Sequence, residues 1–412
     1  MVEKIESVII GGGQSGLSLS YQLTRAGREH IVLEKTSQVA NAWRNHRWDS
    51  FTLLTPNWAF KLPGAEYNGP EPAGYMPKAE IVRRFEQYER DNHLPVSYNT
   101  DVIRVEPMEN HYRYRTFTND KTYESMNVIM ATGMFQKAII PGFSAQIPPN
   151  IKQISSDAYR NPEALPPGAI LVVGSAQSGC QIAEELNDEG RKVFLSTGSA
   201  GRFPRRYRGK DVYEWLSLNG FFDRTAAMLA SPKDRFFGSP HLTGKGGGHE
   251  LNLHTFYRNG VILLGHVRGF EDGKLEFAPD LKENLAKSDG FAAMLLKSIE
   301  DYIQKNNLDL PVEEVKIFDD GYRAPVIQTV DLAAEGISVI IWASGYSRDY
   351  SLVQLPIVDA YNYPSADRGI TSYPGMYFIG LMWMNTFKSG FLLEIGNSSQ
   401  YLVDVISNEK RV

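Results

Sequence analysis

Two glycine-rich turns with matching surroundings constrain the fold of this chain more than any other feature. The first turn, residues 11–16, follows the apolar run 8–10, and the second, residues 174–179, follows the apolar run 170–173. Each turn opens an amphipathic helical pattern that leads into another apolar run. Strands joined by a crossover helix in this way are parallel and belong to a buried sheet. The sequence therefore predicts an α/β fold with two Rossmann-like dinucleotide-binding domains, each a three-layer (ββα/βα) unit.

The first turn carries the dinucleotide fingerprint GxGxxG. Gly11 makes the tight bend, Gly13 lets a pyrophosphate approach the backbone, and Gly16 packs the helix onto the strand. Glu34 ends the following strand, where a carboxylate can accept hydrogen bonds from an adenosine ribose. This context predicts a dinucleotide site. The alternative is a glycine-rich turn that binds nothing.

The second turn departs from the fingerprint in one place. Ala176 replaces the middle glycine, which keeps the backbone slightly farther from the phosphates. Ser196 is expected at the position that matches Glu34, and it has no charge to repel a ribose 2′-phosphate. Because Arg202, Arg205, Arg206 and Arg208 follow soon after, the combination favours NADPH over NADH. Alternatively, these arginines form a solvated surface cluster or contact the substrate.

Two dinucleotide sites in one chain suggest electron transfer between FAD at the first site and a nicotinamide at the second. We expect residues 1–150 to form the first part of an FAD-binding domain, 151–335 an inserted NADPH-binding domain, and 336–412 the C-terminal part of the FAD-binding domain. The apolar strands 339–342 and 376–380 are expected to rejoin the first sheet. Helices are predicted over 78–92, 212–218 and 281–304, hairpin strands around 112–117 and 123–129, and a surface loop over 359–373.

Composition excludes several classes of partner. The 43 Lys and Arg residues against 48 Asp and Glu give a net charge of −5 with no long run of one sign, which argues against nucleic acids and acidic membranes as partners. The apolar runs are far shorter than the roughly 20 residues of a membrane helix. The start of the chain lacks the pattern of a signal peptide, so we expect a cytoplasmic protein that acts on small molecules.

Neither cysteine nor metal chemistry is predicted. Cys180 is the one cysteine of the chain, which excludes an internal disulfide and a CxxC redox pair and therefore a thiol-based disulfide reductase. His249 and His254 are five residues apart, which is the wrong spacing for a zinc HExxH helix, and the segment is expected to be a surface turn that enters a strand or helix.

Further motifs occur in order along the chain and carry a family resemblance. The motifs are Ala-Trp-Arg at 42–44, Arg-Trp-Asp at 47–49, Leu-Pro-Gly at 62–64, Ala-Thr-Gly at 131–133, Tyr-Arg-Asn-Pro at 159–162, Phe-Pro-Arg-Arg at 203–206 and Trp-Ala-Ser-Gly-Tyr at 342–346. With these motifs and the two fingerprints, the chain resembles the flavin-containing monooxygenases, which are class B flavoprotein monooxygenases, and their indole-pyruvate monooxygenase-like members. By this resemblance, residues 131–133 and 343–346 are crossings between the two domains.

Fingerprint and resemblance together assign the candidate site residues. Asn57 resembles the asparagine that the family places near the flavin edge and is the candidate catalytic residue, with a turn residue after Pro56 as the alternative. Trp383, Met384, Phe387 and Phe391 either pack in the core or line the substrate pocket. The candidate cofactor-binding residues are Gly11, Gly13, Gln14, Ser15, Gly16, Glu34, Lys35, Trp43, Arg44, Trp48, Val102, Thr132, Gly133, Gly174, Ser175, Gln177, Ser178, Gly179, Arg202, Arg205, Ser344 and Gly345.

The resemblance also implies an activity. NADPH reduces FAD, O2 adds to the flavin C4a atom, and the C4a-(hydro)peroxyflavin transfers one oxygen atom to a small organic substrate. The alternatives are an NADPH:flavin oxidase or reductase without substrate oxygenation, and a flavin-binding regulatory protein without turnover. One departure from the family bears on the first alternative, because Ser155 stands where the FxGxxxHSxxY signature has its histidine. A homodimer is a further expectation from the family.

Overall fold

Two parallel-stranded sheets form the framework of the protein in a computed structural model that describes residues 2–198, 201–236 and 240–408. In the first sheet, neighbouring parallel strands follow the order Met376–Phe378, Thr122–Met130, Val2–Ile10, His30–Leu33 and Val96–Ser97. The antiparallel strands Tyr114–Thr118 and Val102–Pro107 extend from Thr122–Met130 and confirm the predicted hairpin.

The second sheet is parallel throughout. Its strands follow the order Ile262–Leu264, Val193–Ser196, Ala169–Val173, Ile337–Trp342 and Lys152–Ser155. Every residue of Ala169–Val173 and Val193–Ser196 is buried. A strand covered on both faces needs apolar residues at consecutive positions, which explains why both read as continuous apolar runs.

The strand Ile337–Trp342 corrects one prediction. It was expected to rejoin the first sheet, but it pairs with Ala169–Val173 and Lys152–Ser155 in the second. The chain therefore returns to the first sheet after Trp342, and the expected boundary at residue 336 falls just before a strand of the second sheet. The later strand Met376–Phe378 does pair in the first sheet, as predicted. Strands buried on both faces share one composition, so their sequence does not say which sheet they enter.

The helices cover the two sheets, and the three helices predicted from periodicity are present. In the 25-residue helix Leu281–Lys305, the buried residues recur every three or four positions, which is the pattern of a helix with one face on the core. Across the described ranges, no helix is long and apolar enough to cross a bilayer. The α-helices are Gln14–Arg25, Asn41–Asn45, Lys78–Asp91, Gln177–Asp188, Val212–Leu218, Leu253–Arg258, Leu281–Lys305 and Ile395–Asn408.

Short strands complete the structure. The predicted surface loop 359–373 contains the antiparallel strands Ala366–Asp367 and Ile370–Thr371, which extend the edge of the first sheet. Two-residue strands are too short to leave a periodic signal in the sequence. The remaining small sheets are Gly201–Arg202 with Pro240–Thr243 and His249–Glu250, Arg206–Tyr207 with Lys210–Asp211, and Val267–Glu271 with Lys274–Phe277 and Thr329–Asp331.

Two crossings join the sheets, and they pair with each other. Residues 131–133 leave the first sheet after Thr122–Met130, and residues 343–345 leave the second sheet after Ile337–Trp342. Beyond them, Lys137–Ala138 and Tyr346–Ser347 form a two-stranded antiparallel sheet. The predicted crossings are confirmed. The two connections are hydrogen-bonded to each other and together join the domains. We call this pair of segments, residues 131–138 and 343–347, the strap.

Candidate dinucleotide-binding sites

The first fingerprint loop, residues 11–16, is shaped by two close backbone approaches. At Gly11, where φ is +113°, an added Cβ would lie 2.7 Å from the carbonyl oxygen of Ala131. At Gly16, an added Cβ would lie 1.9 Å from the carbonyl oxygen of Gly11. Real Cβ atoms do not approach so closely, so both positions require glycine. The loop is thereby held against the start of the crossing at residues 131–133.

Gly13 leaves the end of the first helix open. No described side chain caps the helix Gln14–Arg25, and no described atom lies within 4 Å of a Cβ built at Gly13. The first N–H groups of a helix have no partner inside it, and the helix dipole favours negative charge at this end. An open helix N-terminus behind a glycine cradle fits the pyrophosphate of FAD.

The Glu34 side chain is held beside this loop by hydrogen bonds. Its buried carboxylate accepts hydrogen bonds from Gly12 N at 2.8 Å and from Thr36 N and Oγ1 at 2.9 and 2.7 Å. The Thr100 amide donates to the Glu34 carbonyl at 3.0 Å, just before the strand that begins at Val102. Val102 begins its strand two residues after this backbone contact with Glu34, and Lys35, the residue after Glu34, is exposed.

The second fingerprint loop, residues 174–179, repeats the geometry of the first. At Gly174, where φ is +106°, a Cβ would lie 2.4 Å from the Ala343 carbonyl oxygen, and at Gly179 it would lie 1.8 Å from the Gly174 carbonyl oxygen. No side chain in the described part of the chain caps the helix Gln177–Asp188, and Ala176 at its start is exposed. The second loop therefore also fits a dinucleotide phosphate at its helix N-terminus.

Strand pairing corrects the residue that matches Glu34. Gly11 N donates to Leu33 O at 2.9 Å, and Gly174 N makes the same bond to Ser196 O at 3.0 Å. Ser196 therefore matches Leu33, and Thr197 matches Glu34, so the prediction for Ser196 was wrong by one residue. In the sequence, a serine that ends an apolar strand looks the same as a serine that follows the strand, so the end of the strand was placed one residue too early. Thr197 is also uncharged, so the argument for NADPH is unchanged.

Polar residues of the two loops anchor neighbouring segments. Gln14 Nε2 donates to Gly390 O at 2.8 Å, and the Gln177 amide bonds both backbone groups of Leu242. Ser15 faces Gly380, where an added Cβ would lie 1.9 Å from its Oγ. Ser175, which is buried, accepts a hydrogen bond from Gly198 N at 3.1 Å, and Ser178 is half-buried in the first turn of the second helix.

The crossings carry four of the predicted site residues. Gly133 and Gly345 both have positive φ, at 74° and 93°, which permits the bend after each strand. Thr132 Oγ1 accepts from Gln136 Nε2 at 3.0 Å, and Ser344 Oγ donates to Ile139 O at 2.7 Å. These four residues therefore lie directly behind Gly11 and Gly174, where the two fingerprint loops meet the strap.

The segment after residue 40 lies between the two domains. Arg44 pairs with Glu86 at 2.6 Å, and the Trp43 ring lies 6.0 Å from that of Phe51. Trp48 is buried, and its ring lies 5.3 Å from Phe51 and 6.4 Å from Tyr159 of the inserted region. The structure thus brings Trp48 to the contact between the domains.

Asn57 is buried at the start of a short 3-10 helix, Asn57–Ala59. Its Nδ2 donates to Glu71 O at 2.9 Å, whereas its Oδ1 accepts no hydrogen bond from the described residues. A buried acceptor without a donor costs free energy unless a ligand supplies one. The side chain therefore offers an unpaired acceptor, because its amide nitrogen is the atom that bonds Glu71 O.

Arg202 and Arg205 are buried and ion-paired. Arg202 Nε contacts Asp289 Oδ1 at 2.7 Å, and Arg205 Nε contacts Asp211 Oδ2 at 2.8 Å. Arg205 also donates to Tyr75 Oη at 2.7 Å and to Leu54 O at 2.7 Å. Asp211 lies only six residues after Arg205, but Asp289, Tyr75 and Leu54 lie far away in sequence, so a motif search could not find them.

Each of these arginines keeps one buried nitrogen without a partner in the described structure. The nitrogens are Nη1 of Arg202 and Nη2 of Arg205. Nη1 of Arg202 lies 3.8 Å from Glu250 Oε2, which is too far for a hydrogen bond. Both guanidinium groups can therefore still donate to an anion.

Ser155 ends the strand Lys152–Ser155, and its hydroxyl donates to Asp157. The next residue, Ser156, is hydrogen-bonded to the Tyr346 hydroxyl at 3.0 Å, so this segment contacts the strap. The segment at His249 was expected to be a surface turn that enters a strand or helix, and it does run from the strand His249–Glu250 into the helix Leu253–Arg258. The surface position was wrong, because residues 251–254 are buried and His254 lies beside Asp289. The described residues contain no cluster of three metal-ligating side chains.

Fold and loops define a protein with two dinucleotide-binding domains, the second inserted into the first. The sequence profile of the pyridine nucleotide-disulphide oxidoreductases matches residues 8–217, just over half of the chain. The chain belongs to this family.

Curated relatives extend the match. An uncharacterised CzcO-like oxidoreductase of Geobacillus kaustophilus is 29% identical over 406 residues, which cover 98% of this chain and 99% of the relative. A probable indole-3-pyruvate monooxygenase of Arabidopsis thaliana, YUCCA3, is 25% identical over 217 residues, or 50% of this chain and 49% of the relative. The resemblance to flavin-containing monooxygenases is thereby confirmed.

Solved structures share the fold. A flavin-containing monooxygenase from Stenotrophomonas maltophilia aligns with a TM-score of 0.64 at 19% identity and covers 98% of both chains. An ornithine N-hydroxylase from Kutzneria sp. 744, solved with reduced FAD, NADP+ and L-ornithine, aligns with a TM-score of 0.64 at 14% identity over 98% of this chain and 99% of that one. The predicted α/β fold with two Rossmann-like domains is confirmed.

Replacing Gly13 by alanine tests the cradle. Because no described atom lies within 4 Å of the new Cβ, Gly13→Ala should fold with the thermal midpoint of the wild-type apoprotein. A phosphate at the helix N-terminus would meet the added methyl group, so the Kd for FAD should rise at least about tenfold, or about 1.4 kcal/mol. The measurement is a fluorescence titration of apoprotein with FAD. Gly142→Ala, also in open space, is the control and should bind FAD like the wild type.

His241 predicts a loss of stability in acid. Burial lowers the pKa of His241 to about 4 from 6.5. The unfolded chain therefore binds this proton between pH 6.5 and 4 while the folded chain does not, so stability falls as the pH drops through this window. The slope contributed by one such group is at most about 1.4 kcal/mol per pH unit. Urea midpoints measured from pH 7 to 4.5 should fall less for His241→Gln than for the wild type, and parallel curves would contradict this assignment.

Proposed function

We propose that the protein is an FAD- and NADPH-dependent monooxygenase, with FAD at residues 11–16 and NADPH at residues 174–179. The observation that carries the proposal is the repeated loop geometry, in which two glycine pairs hold two open helix N-termini within one chain. The names of the structural neighbours and of the indole-pyruvate monooxygenase relative support oxygenation over simple oxidation.

In the overall reaction, one oxygen atom of O2 goes to the substrate and the other to water. Substrate, O2, NADPH and one proton give oxygenated substrate, NADP+ and water. When bound, the flavin supplies electron transfer from NADPH to O2 and transfer of one oxygen atom to the substrate. The protein must hold the cofactors, orient the substrate and exclude water.

The residues around the first loop are proposed to hold FAD. The open helix end would bind the pyrophosphate, and Glu34, already oriented by Gly12 and Thr36, would bind the adenosine ribose. Lys35 and Val102 are proposed to act at this adenosine end. Trp43, Arg44 and Trp48 are proposed to act at the flavin side, and Thr132 and Gly133 bend the crossing behind the loop.

Arg202 and Arg205 are proposed to recognise the 2′-phosphate of NADPH. The support is that each keeps one unpartnered buried nitrogen in the described structure, and that Thr197 carries no charge at the position of Glu34. A second-loop site with an acidic residue at that position would repel the phosphate. Ser175, Gln177, Ser178, Ser344 and Gly345 belong to the same proposed site.

Asn57 is proposed to act beside the flavin. Its buried Oδ1 has no donor within the described structure, and an amide is too weak an acid to protonate and expel a peroxide. It would accept a hydrogen bond from the reacting group or from the flavin. Its fixed Nδ2 keeps the oxygen pointed one way.

Disulfide reduction, which the family description includes, does not suit this chain. Cys180 is its one cysteine and is buried, its thiol contacts Ser175 O at 3.1 Å, and burial raises its pKa. A thiol that stays protonated and has no partner cysteine is a poor nucleophile for thiol–disulfide exchange.

Coupling of the two half-reactions tests the proposal. Purified holoenzyme is supplied with NADPH and candidate substrates, and NADPH loss, O2 uptake, peroxide and oxygenated product are quantified together. We expect one substrate to yield product in near-equal amount to the NADPH consumed. Stoichiometric peroxide with every substrate would favour an oxidase. In Asn57→Ala, we expect unchanged flavin content and a rise in the peroxide fraction.

Cofactor preference tests the two arginines. Arg202→Ala and Arg205→Ala should each raise the KM for NADPH at least about tenfold more than the KM for NADH, because only NADPH carries the 2′-phosphate. Arg206→Ala is the matched control, since Arg206 is exposed and contacts Gly247 O. Equal changes for both cofactors would contradict the 2′-phosphate assignment.

Location and assembly complete the proposal. We place the enzyme in the cytoplasm, where an NADPH supply meets small-molecule substrates, and as a homodimer. Light scattering on the purified holoenzyme measures the assembly state directly.

A further inference from the structure

A hydrogen-bond donor and an acceptor, both buried and both without a partner, lie side by side near the second fingerprint loop. They are Arg202 Nη1 and Glu250 Oε2, and neither atom has a partner among the described residues. The two atoms are 3.8 Å apart, which is too far for a hydrogen bond between them. Only 9% of the Arg202 side chain is exposed. Two hydrogen bonds are therefore left for a third group to make.

The guanidinium of Arg202 is held in place from its other side. Its Nε contacts Asp289 Oδ1 at 2.7 Å, and Asp289 Oδ2 accepts a hydrogen bond from the Tyr322 hydroxyl at 2.7 Å. His254 Nδ1 accepts from Gly321 N at 3.0 Å, so its Nε2 is the nitrogen that donates to Asp289, at 3.3 Å. This network fixes the guanidinium and leaves Nη1 for a ligand.

The carboxylate of Glu250 is only partly compensated. Its Oε1 accepts a weak hydrogen bond from Asn252 Nδ2 at 3.4 Å, and its Oε2 accepts none within the described ranges. Burial raises the pKa of Glu250, and the nearby charge of Arg202 offsets only part of this effect. A buried carboxylate oxygen in this position gains from any donor that a ligand brings.

Strand pairing places this donor and acceptor beside the second helix N-terminus. Arg202 pairs with His241 on one side of a strand, and Glu250 pairs with Leu242 on the other side of the same strand. The Gln177 side chain, in the first turn of the second fingerprint helix, bonds both backbone groups of Leu242. Arg202 and Glu250 are therefore anchored next to the end of the helix proposed to bind NADPH.

The position that matches Glu34 is connected to the same place. Thr197 stands there, and its carbonyl oxygen accepts a hydrogen bond from Asn284 Nδ2 at 3.4 Å. Asn284 lies in the helix Leu281–Lys305, which also carries Asp289, the partner of Arg202. In the first site, Glu34 provides a carboxylate for the adenosine ribose. The second site has threonine at that position, so its carboxylate has to come from another element.

A hydroxyl group satisfies this pair of atoms and a phosphate does not. One oxygen at about 2.8 Å from each atom fits between atoms that are 3.8 Å apart, and a hydroxyl there accepts from Arg202 and donates to Glu250. A phosphate oxygen accepts from Arg202 but has no hydrogen for Glu250, and its negative charge faces the carboxylate. Glu250 therefore distinguishes a ribose hydroxyl from a ribose phosphate.

We propose that Glu250 is a specificity-determining residue of the second site, which accepts a hydrogen bond from the adenosine 2′-hydroxyl of NADH and opposes the 2′-phosphate of NADPH. Arg202 binds whichever group is present, so the enzyme uses NADH as a second electron donor. The inference rests on the proposed function, because it concerns the nicotinamide site proposed there. NADH replaces NADPH and NAD+ replaces NADP+ in the overall reaction, so atoms and electrons balance as before.

Binding of NAD+ and NADP+ to the oxidised holoenzyme, measured by isothermal titration without turnover, tests the role of Glu250. In Glu250→Gln, the ratio of the Kd for NAD+ to the Kd for NADP+ should rise at least about tenfold. NAD+ loses a charged acceptor for its hydroxyl, and NADP+ loses a repelling charge. A merely structural role would weaken the binding of both cofactors and leave the ratio unchanged.

Removing the hydroxyl from the ligand tests the same contact in the wild-type protein. The probe is nicotinamide 2′-deoxyadenine dinucleotide, which lacks only the adenosine 2′-hydroxyl of NAD+. The wild-type protein should bind NAD+ at least about tenfold more tightly than this probe, because the probe leaves both buried atoms unpaired. In Glu250→Gln, the advantage of NAD+ should shrink. The wild-type comparison decides the question even if the variant does not fold.

Glu184→Gln is the matched control. Glu184 pairs with His249, the residue before Glu250, at 2.8 Å, and its side chain is 17% exposed against 20% for Glu250. The control removes the same charge from the neighbouring position but leaves the pair of Arg202 and Glu250 intact. It should bind NAD+ and NADP+ in the wild-type ratio.

Three results would overturn the inference. They are an unchanged ratio in Glu250→Gln, equal affinity of the wild-type protein for NAD+ and its 2′-deoxy form, and binding of NADP+ without binding of NAD+. The last result would leave the proposed function standing. Conversely, binding of both cofactors in the expected ratios without any oxygenated product would contradict the proposed function and leave the role of Glu250 standing.

Discussion

One close backbone contact, made twice, holds the architecture together. The first glycine of each fingerprint loop sits against the carbonyl oxygen of the alanine that begins a crossing, Ala131 in one domain and Ala343 in the other. No side chain fits between them. Each helix N-terminus is therefore held against the strap that joins the domains, and this backbone contact contributes to placing the two open helix ends relative to each other. Both fingerprint loops therefore contact the same connection between the domains.

Buried polar contacts then fix how the domains face each other. Glu185 of the second fingerprint helix accepts hydrogen bonds from Ser50 at 2.5 Å and from Tyr159 at 2.8 Å, and it is buried. Arg205 bridges Leu54 O and Asp211 across the same boundary. A charge that is buried in this way is costly once one partner is removed, because the remaining group is left without compensation. These directional polar contacts therefore fix one relative position of the domains, which a purely apolar interface would not do.

The sequence predicts well whatever depends on local pattern. Glycine spacing and apolar runs identify both βαβ units, and the period of buried residues identifies helices such as Leu281–Lys305. It fails where the outcome depends on partners that are distant in the chain. The strand Ile337–Trp342 enters the second sheet, Thr197 rather than Ser196 matches Glu34, and Arg202 is held by Asp289, 87 residues away. Strand pairing and charge pairing are decided in three dimensions, and a motif does not record them.

Two buried arginines differ from the half-buried Arg224 in how their charge is compensated. Arg202 and Arg205 have carboxylate partners, and each still has one buried nitrogen without a partner among the described residues. Arg224 lies against aromatic rings instead, which attract a cation weakly, and no carboxylate of the described ranges pairs with it. Because its charge is already compensated, a paired arginine costs the folded protein little free energy while the cofactor is absent. An unpaired one gains more from each anion that it meets, because the ligand supplies the whole of the missing charge.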